Sequence, residues 1–141
     1  MAAGPTVKKI LETYPGKIRL VIKNYPYKYR DFARSAAAAS LAARDQGKYW
    51  EMHDILISRS PKLDRASLVS YAGELGLDVQ KFTESIDSSR YAQEIDRDIK
   101  LAESMDLYNT PTFYINGRQV VGERPFDYFR KILDEELSVS H

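Results

Sequence analysis

The 141 residues contain no cysteine. Disulfides, thiolate metal sites and cysteine nucleophiles are therefore excluded from these residues, and the usual sequence clue to redox compartment is absent with them. There is little excess charge of either sign: 21 Lys and Arg stand against 20 Asp and Glu, a net +1, so bulk charge favours neither disorder nor a polyanion-binding surface. Long hydrophobic runs are missing as well, and no stretch approaches the ~20 apolar residues of a membrane helix. The opening MAAGPTVKKILETYPG reaches Lys8 and Lys9 before any apolar block of signal-peptide length forms, so no export or anchoring signal is expected in the chain.

What is present suits one globular domain. Apolar residues make up 43% of the chain, and a domain of this size buries roughly two-thirds of the surface its unfolded chain exposes. Pro5 sits where a first-turn proline belongs, and Val7, Ile10, Leu11 and Tyr14 recur at helical spacing until Pro15-Gly16 stops the run. Lys17–Lys23 (KIRLVIK) alternates Ile18, Leu20 and Ile22 against Lys17, Arg19, Val21 and Lys23, which predicts a strand ending near Pro26.

From Asp31 to about Asp106 only helix patterns follow. Asp31–Gln46 is alanine-rich and closed by Gly47. Lys48–Arg59 carries Tyr49, Trp50, Met52, Ile55 and Leu56, and Asp64–Gly76 places Leu68, Tyr71, Ala72 and Leu75 on one face. Asp78 is positioned to cap a helix running through Ile86, and Ser89 to cap the last one, whose buried stripe is Tyr91, Ile95, Ile99 and Ala102.

The stretch NTPTFYING then sets Thr110-Pro111 ahead of a β-prone run, Thr112–Ile115. Asn116-Gly117 between this run and Arg118–Val121 is a strong hairpin signal, because both central residues must accept positive φ. Gly122 closes the β segment, and Pro125 opens a final helix with Phe126, Phe129, Leu133 and Leu137 on one side.

This order resembles the DsbA-like branch of the thioredoxin superfamily. PTVKKILETYPGKIRLVIKNYP, AASLAARDQGKYWEMHDIL, LVSYAGELGLDVQKF and NTPTFYINGRQVVG followed by PFDYFRKILDEEL carry the resemblance, from about Pro5 to Leu137. It implies an α/β chain: an incomplete thioredoxin-like fold with an inserted α-helical subdomain, residues 1–30 and 107–141 forming the partial thioredoxin-like domain and 31–106 the insertion. Family members normally open with a strand leading into C-x-x-C at the start of the first helix. Met1–Pro5 begins partway into that helix, so the chain resembles a member that starts just after its active site. The resemblance also implies a cis Thr110-Pro111 bond whose backbone faces the catalytic pair and can hold an extended substrate strand.

Thiol-disulfide exchange needs a thiolate, and no serine or threonine cycles between oxidised and reduced states. No catalytic residue, cofactor or metal is therefore expected; Thr110 and Pro111 are the candidate substrate-binding residues. The leading expectation is a fragment of a DsbA-like thiol-disulfide oxidoreductase, itself inactive, from a periplasmic or otherwise extracytoplasmic parent acting on extended polypeptides. The alternative is a redox-inactive thioredoxin-fold module that binds peptides or proteins. An unpaired strand also recruits a partner, so a strand-exchanged or edge-paired homodimer is expected.

Four other features carry competing interpretations. His53, with Glu51 and Asp54 nearby, invites a metal or acid-base role, but these positions do not share a helical face and the other histidine is the terminal His141; packing or solvent exposure is expected. Tyr25, Tyr27 and Tyr29 alternate beside Lys23, Lys28 and Arg30, the mix that single-stranded nucleic acid uses, yet rim tyrosines more often pack, so no nucleic-acid partner is expected. Tyr49 and Trp50 suit a core better than a ligand cage, and Glu94, Asp96, Arg97, Asp98 and Lys100 are expected on a solvated face.

Overall fold

The structure, a computed structural model, describes residues 3–26 and 32–139. Its described elements are α1 (Ala3–Thr13), α2 (Ala33–Arg44), α3 (Tyr49–Ser58), α4 (Arg65–Glu74), α5 (Val79–Asp87), α6 (Ala92–Ser104), β1 (Thr112–Ile115), β2 (Arg118–Val121) and α7 (Phe126–Ser138). They fall into two compact units, Met1–Ile22 with Asp106–His141, and Lys23–Met105.

The second unit is all helix. Alanines let α2 sit at its centre, burying Ala39, Ser40, Leu41, Ala42 and Ala43 while α3, α4, α5 and α6 pack around it. Phe82, Met52, Leu68 and Ile95 are its largest fully buried side chains. Asp64 and Asp78 cap α4 and α5 by accepting from the Ser67 and Lys81 N–H groups, at 3.3 and 3.0 Å, which satisfies donors the helix itself leaves unpaired. The Ser67 hydroxyl, donating to Asp64 at 2.6 Å, and then the Ser67 N–H hold that carboxyl below its ordinary range.

Ser89 does not cap α6. The helix starts at Ala92, with Tyr91 at the N-cap and no side-chain cap bond, and Ser89 contributes only its carbonyl, which accepts from Ala92 N–H at 3.1 Å. Trp50 is not core either: it is 43% exposed, because α3 turns its buried face through Met52 and Leu56.

In the first unit α1 and α7 pack with the β1–β2 hairpin. Ile10, Tyr14, Val120, Phe129, Ile132 and Leu133 are buried together, with Ile18, Phe113, Ile115 and Phe126 packed against them. The Tyr14 hydroxyl donates to Asp134 at 2.6 Å, tying α1 to α7. Burial first, and then this bond to a carboxylate, push the Tyr14 hydroxyl above its ordinary pKa. Leu137 is 42% exposed; the inward face of α7 passes through Ile132 instead.

The strand expected at Lys17–Lys23 does not form. Residues 18–26 have no regular secondary structure, and the sheet contains β1 and β2 only, among the described residues. The period of two survives at its start: Ile18 and Leu20 are half-buried, while Lys17, Arg19 and Val21 are exposed. A strand also needs a neighbour to complete a hydrogen-bond ladder, and the described residues offer this segment none.

Candidate functional site

The hairpin is set by its turn. Asn116 and Gly117 have φ of 49° and 88°, as a two-residue hairpin turn requires, and Ile115 faces Arg118 across it. In an antiparallel ladder hydrogen-bonded and non-bonded pairs alternate. Ile115–Arg118 and Phe113–Val120 are thus the bonded pairs. The next in phase is Pro111–Gly122, where the Gly122 N–H donates to the Pro111 carbonyl at 2.8 Å. Tyr114 and Thr112 are the non-bonded positions, so their N–H and C=O groups point away from β2. Neither N–H has a hydrogen-bond partner among the described residues.

The two faces of the hairpin differ. Phe113, Ile115 and Val120 enter the core, the Phe113 ring meeting Phe129 edge-on at 4.9 Å. Tyr114 and Val121, 40% and 43% exposed, lie on the opposite face, where Gln119 Nε2 donates to the Tyr114 hydroxyl at 2.9 Å. The tip is fixed to α7 by an Arg118–Glu135 ion pair of 2.7 Å and by Asn116 Nδ2 donating to Glu136 at 3.1 Å.

Leading into this edge, the Thr110-Pro111 bond is cis, as the resemblance implies; Ser60-Pro61 is cis too, which no sequence feature announced. Asn109 and Thr110 are exposed and Pro111 half-buried. The Thr112 hydroxyl donates to the Asn109 carbonyl at 2.7 Å and folds the approach to β1. The edge itself therefore presents backbone donors and acceptors rather than a nucleophile or a redox group, and such groups can hold an extended chain.

The other sequence candidates separate from this edge. His53 lies half-buried on α3, stacked on Tyr49 at 5.9 Å and edge-on to Trp50 at 5.8 Å. Its Nδ1 has no hydrogen-bond partner among the described residues, since Asp54 at 3.8 Å is too distant. Among the described residues no group of three or more His, Asp or Glu is placed to hold a metal. Tyr25 is half-buried, and Tyr27 and Tyr29 lie outside the described residues.

Asp98 departs most from expectation. It is 6% exposed rather than solvated. It accepts the Asn24 N–H at 2.8 Å and pairs with Lys23 Nζ at 3.3 Å. The signal was available: position 98 is three residues beyond Ile95 and seven beyond Tyr91, on the buried stripe of α6, where an unpartnered charge is rarely tolerated.

These features define a thioredoxin-type chain with a small sheet and a large helical portion. The family model described as Thioredoxin matches residues 2–135, and the chain belongs to that family. Its structure is similar to a thioredoxin-like oxidoreductase from Silicibacter pomeroyi DSS-3, with TM-score 0.86 and 26% identity over 99% of this chain and 79% of that one. It shares the fold of the thiol-disulfide exchange protein alpha-DsbA2 from Wolbachia pipientis, with TM-score 0.81, 22% identity, and 96% and 73% of the two chains covered. The fold is DsbA-like, yet these residues hold no thiol with which to exchange disulfides. By sequence the chain is 37% identical over 118 residues to the Na(+)/H(+) antiporter NhaA 3 of Salinispora tropica, covering 83% of this chain and only 18% of that relative. The chain thus spans a fifth or less of the length of these curated relatives. Among the described residues no helix is long and apolar enough to cross a membrane.

Proposed function

We propose that this chain is a redox-inactive thioredoxin-fold module that holds extended polypeptides at the Thr110-Pro111 approach to β1. The supporting observation is the exposed approach at Asn109 and Thr110, running directly into a strand with an unpaired outer edge. In this proposal residues 1–30 and 107–141 form the binding part and 31–106 an inserted helical part. An extracytoplasmic location belongs to the same proposal, supported by likeness to thiol-disulfide exchange proteins. The curated antiporter relatives suggest that such a module also operates inside longer chains. Two copies pairing along this edge, or exchanging strands, would form the expected homodimer, which light scattering reads directly.

The test is a titration of a labelled, S-alkylated, permanently unfolded polypeptide, followed by anisotropy. Saturable binding that is indifferent to dithiothreitol, and absent for the folded form of the same polypeptide, is the expected result. No binding at concentrations up to about 1 mM, where a complex is worth only about 4 kcal/mol, would refute the proposal. A second reading, part of a DsbA-like oxidoreductase acting on protein disulfides, is favoured by the Silicibacter pomeroyi relative. It predicts no insulin-disulfide reduction by these residues alone and recovery of that activity only when a C-x-x-C segment is supplied.

A further inference from the structure

We infer that Asn116-Gly117 is a site of spontaneous covalent modification: Asn116 deamidates to aspartate or isoaspartate, Glu136 holds the reaction back, and the product unfastens the hairpin tip from α7. The reaction needs a main-chain nitrogen that can reach the preceding carboxamide. Gly117 supplies one. It has no side chain to shield the nitrogen, the space where a side chain would stand is empty to 4 Å, and its N–H has no hydrogen-bond partner among the described residues. Asn116 and Gly117 are both exposed, so water reaches the turn.

Water is the sole co-reactant. The Gly117 nitrogen bonds to Cγ of Asn116, the Cγ–Nδ2 bond breaks, and the Gly117 N–H proton leaves with Nδ2 as ammonia. Water then opens the cyclic imide. Cleavage of the new C–N bond gives aspartate, whereas cleavage of the original peptide bond gives isoaspartate, whose main chain runs through the side chain and is longer by a methylene.

In the folded chain Asn116 Nδ2 donates to Glu136 Oε2 at 3.1 Å, which fastens the carboxamide to α7 instead of leaving it free to swing over Gly117. Conversion removes that donor and sets a carboxylate against Glu136. The Arg118 guanidinium is already shared by Glu135 at 2.7 Å and Glu136 at 3.4 Å, so the added charge meets like charge with no spare cation beside it. Isoaspartate also lengthens a two-residue turn whose Ile115–Arg118 pairing has no slack.

The full chain is incubated at mildly alkaline pH and followed by peptide mapping with mass spectrometry. Isoaspartate is counted by its acceptance of methyl groups from S-adenosylmethionine under an isoaspartyl methyltransferase. The chain's other asparagines, Asn24 before Tyr25 and Asn109 before Thr110, are internal controls. Conversion at Asn116 is expected at least about tenfold faster than at either, because only glycine leaves the attacking nitrogen unshielded. Glu136→Ala is expected to speed conversion about two- to tenfold, the worth of one hydrogen bond. Asn116→Asp supplies the product directly and suits the positive φ of this position. It is expected to raise amide exchange at Ile115 and Arg118 by a similar factor and to leave Met52 and Ile95 unchanged; the aged, converted chain checks the same exchange without a substitution.

Comparable rates at the three asparagines overturn the site. A Glu136→Ala chain that converts no faster overturns the restraint. Unchanged exchange at Ile115 and Arg118, in Asn116→Asp and in the converted chain, overturns the unfastening.

Discussion

The helical unit and the hairpin unit of this chain solve the same problem by opposite means. In Lys23–Met105 each helix meets its own backbone needs locally, and side chains have only to fill space around α2; Phe82, Met52 and Ala72 are fully buried there. In the hairpin unit two helices cover one face of a two-stranded sheet, while Tyr114 and Val121 are exposed on the other face and, among the described residues, no strand pairs with the outer edge of β1. An isolated two-stranded sheet is marginal in water and depends on what packs against it. The helical part is thus satisfied within itself, and the proposed function assigns partner binding to the hairpin part.

The largest expected effect lies in the rigid part. Phe82→Ala empties a fully buried site and should destabilise by about 3–5 kcal/mol. Phe129→Ala should fall at the lower end of that range, because its half-buried neighbours Phe113, Ile115 and Phe126 can collapse into the space. Urea denaturation of both variants measures the contrast, and equal losses would erase it.

Next comes Asp98→Ala, which removes the partner of the half-buried Asn24 N–H and should cost about 1 kcal/mol. Asp98→Asn, which keeps an acceptor, should recover part of that loss by the same measurement.

A smaller effect separates the units by pH. Asp64, Glu74 and Asp87, all in the helical unit, have carboxyls held below their ordinary range, by hydrogen bonds from Ser67, Arg59 and Arg65 respectively. Their contribution is present above the unfolded carboxylate pKa and is lost as pH falls through the lower folded values, below about pH 4. At the alkaline end, Tyr14, Tyr49 and Tyr91 have hydroxyls raised above the ordinary value of about 10, chiefly by burial. The folded state holds those protons more tightly. Stability is therefore retained below about pH 10 and lost as pH rises through the raised values. Tyr14→Phe should flatten that decline for signals reporting on the hairpin unit, followed by denaturation between pH 9 and 11. The smallest change is Leu137→Ala on the exposed side of α7, expected within about 0.5 kcal/mol of the parent.

Local patterns were legible to the degree that their causes were local. Asp64 and Asp78 act as caps where the sequence puts them, and Asn116-Gly117 turns the hairpin with positive φ at both residues. Thr110 and Pro111 were picked out through the resemblance their surroundings carry. What failed depended on distant partners. KIRLVIK alternates like a strand, yet a ladder needs a neighbour that its own residues cannot supply. Asp98 sits on the buried stripe of α6, which its spacing from Tyr91 and Ile95 made legible; only its partners, Lys23 and Asn24, lie far away in the chain. Ser89 has a capping side chain, but α6 begins after it at Ala92.

Residue-resolved amide hydrogen exchange, with and without an unfolded polypeptide, tests the central claim most directly. In the free protein the amides of Met52, Leu68 and Ile95 should exchange slowly, while those of Thr112 and Tyr114, on the open edge, exchange fast. Adding the polypeptide should slow Thr112 and Tyr114 and leave the helical core unchanged. Protection of these two amides before any ligand is added, or continued fast exchange at saturating ligand, would contradict the account.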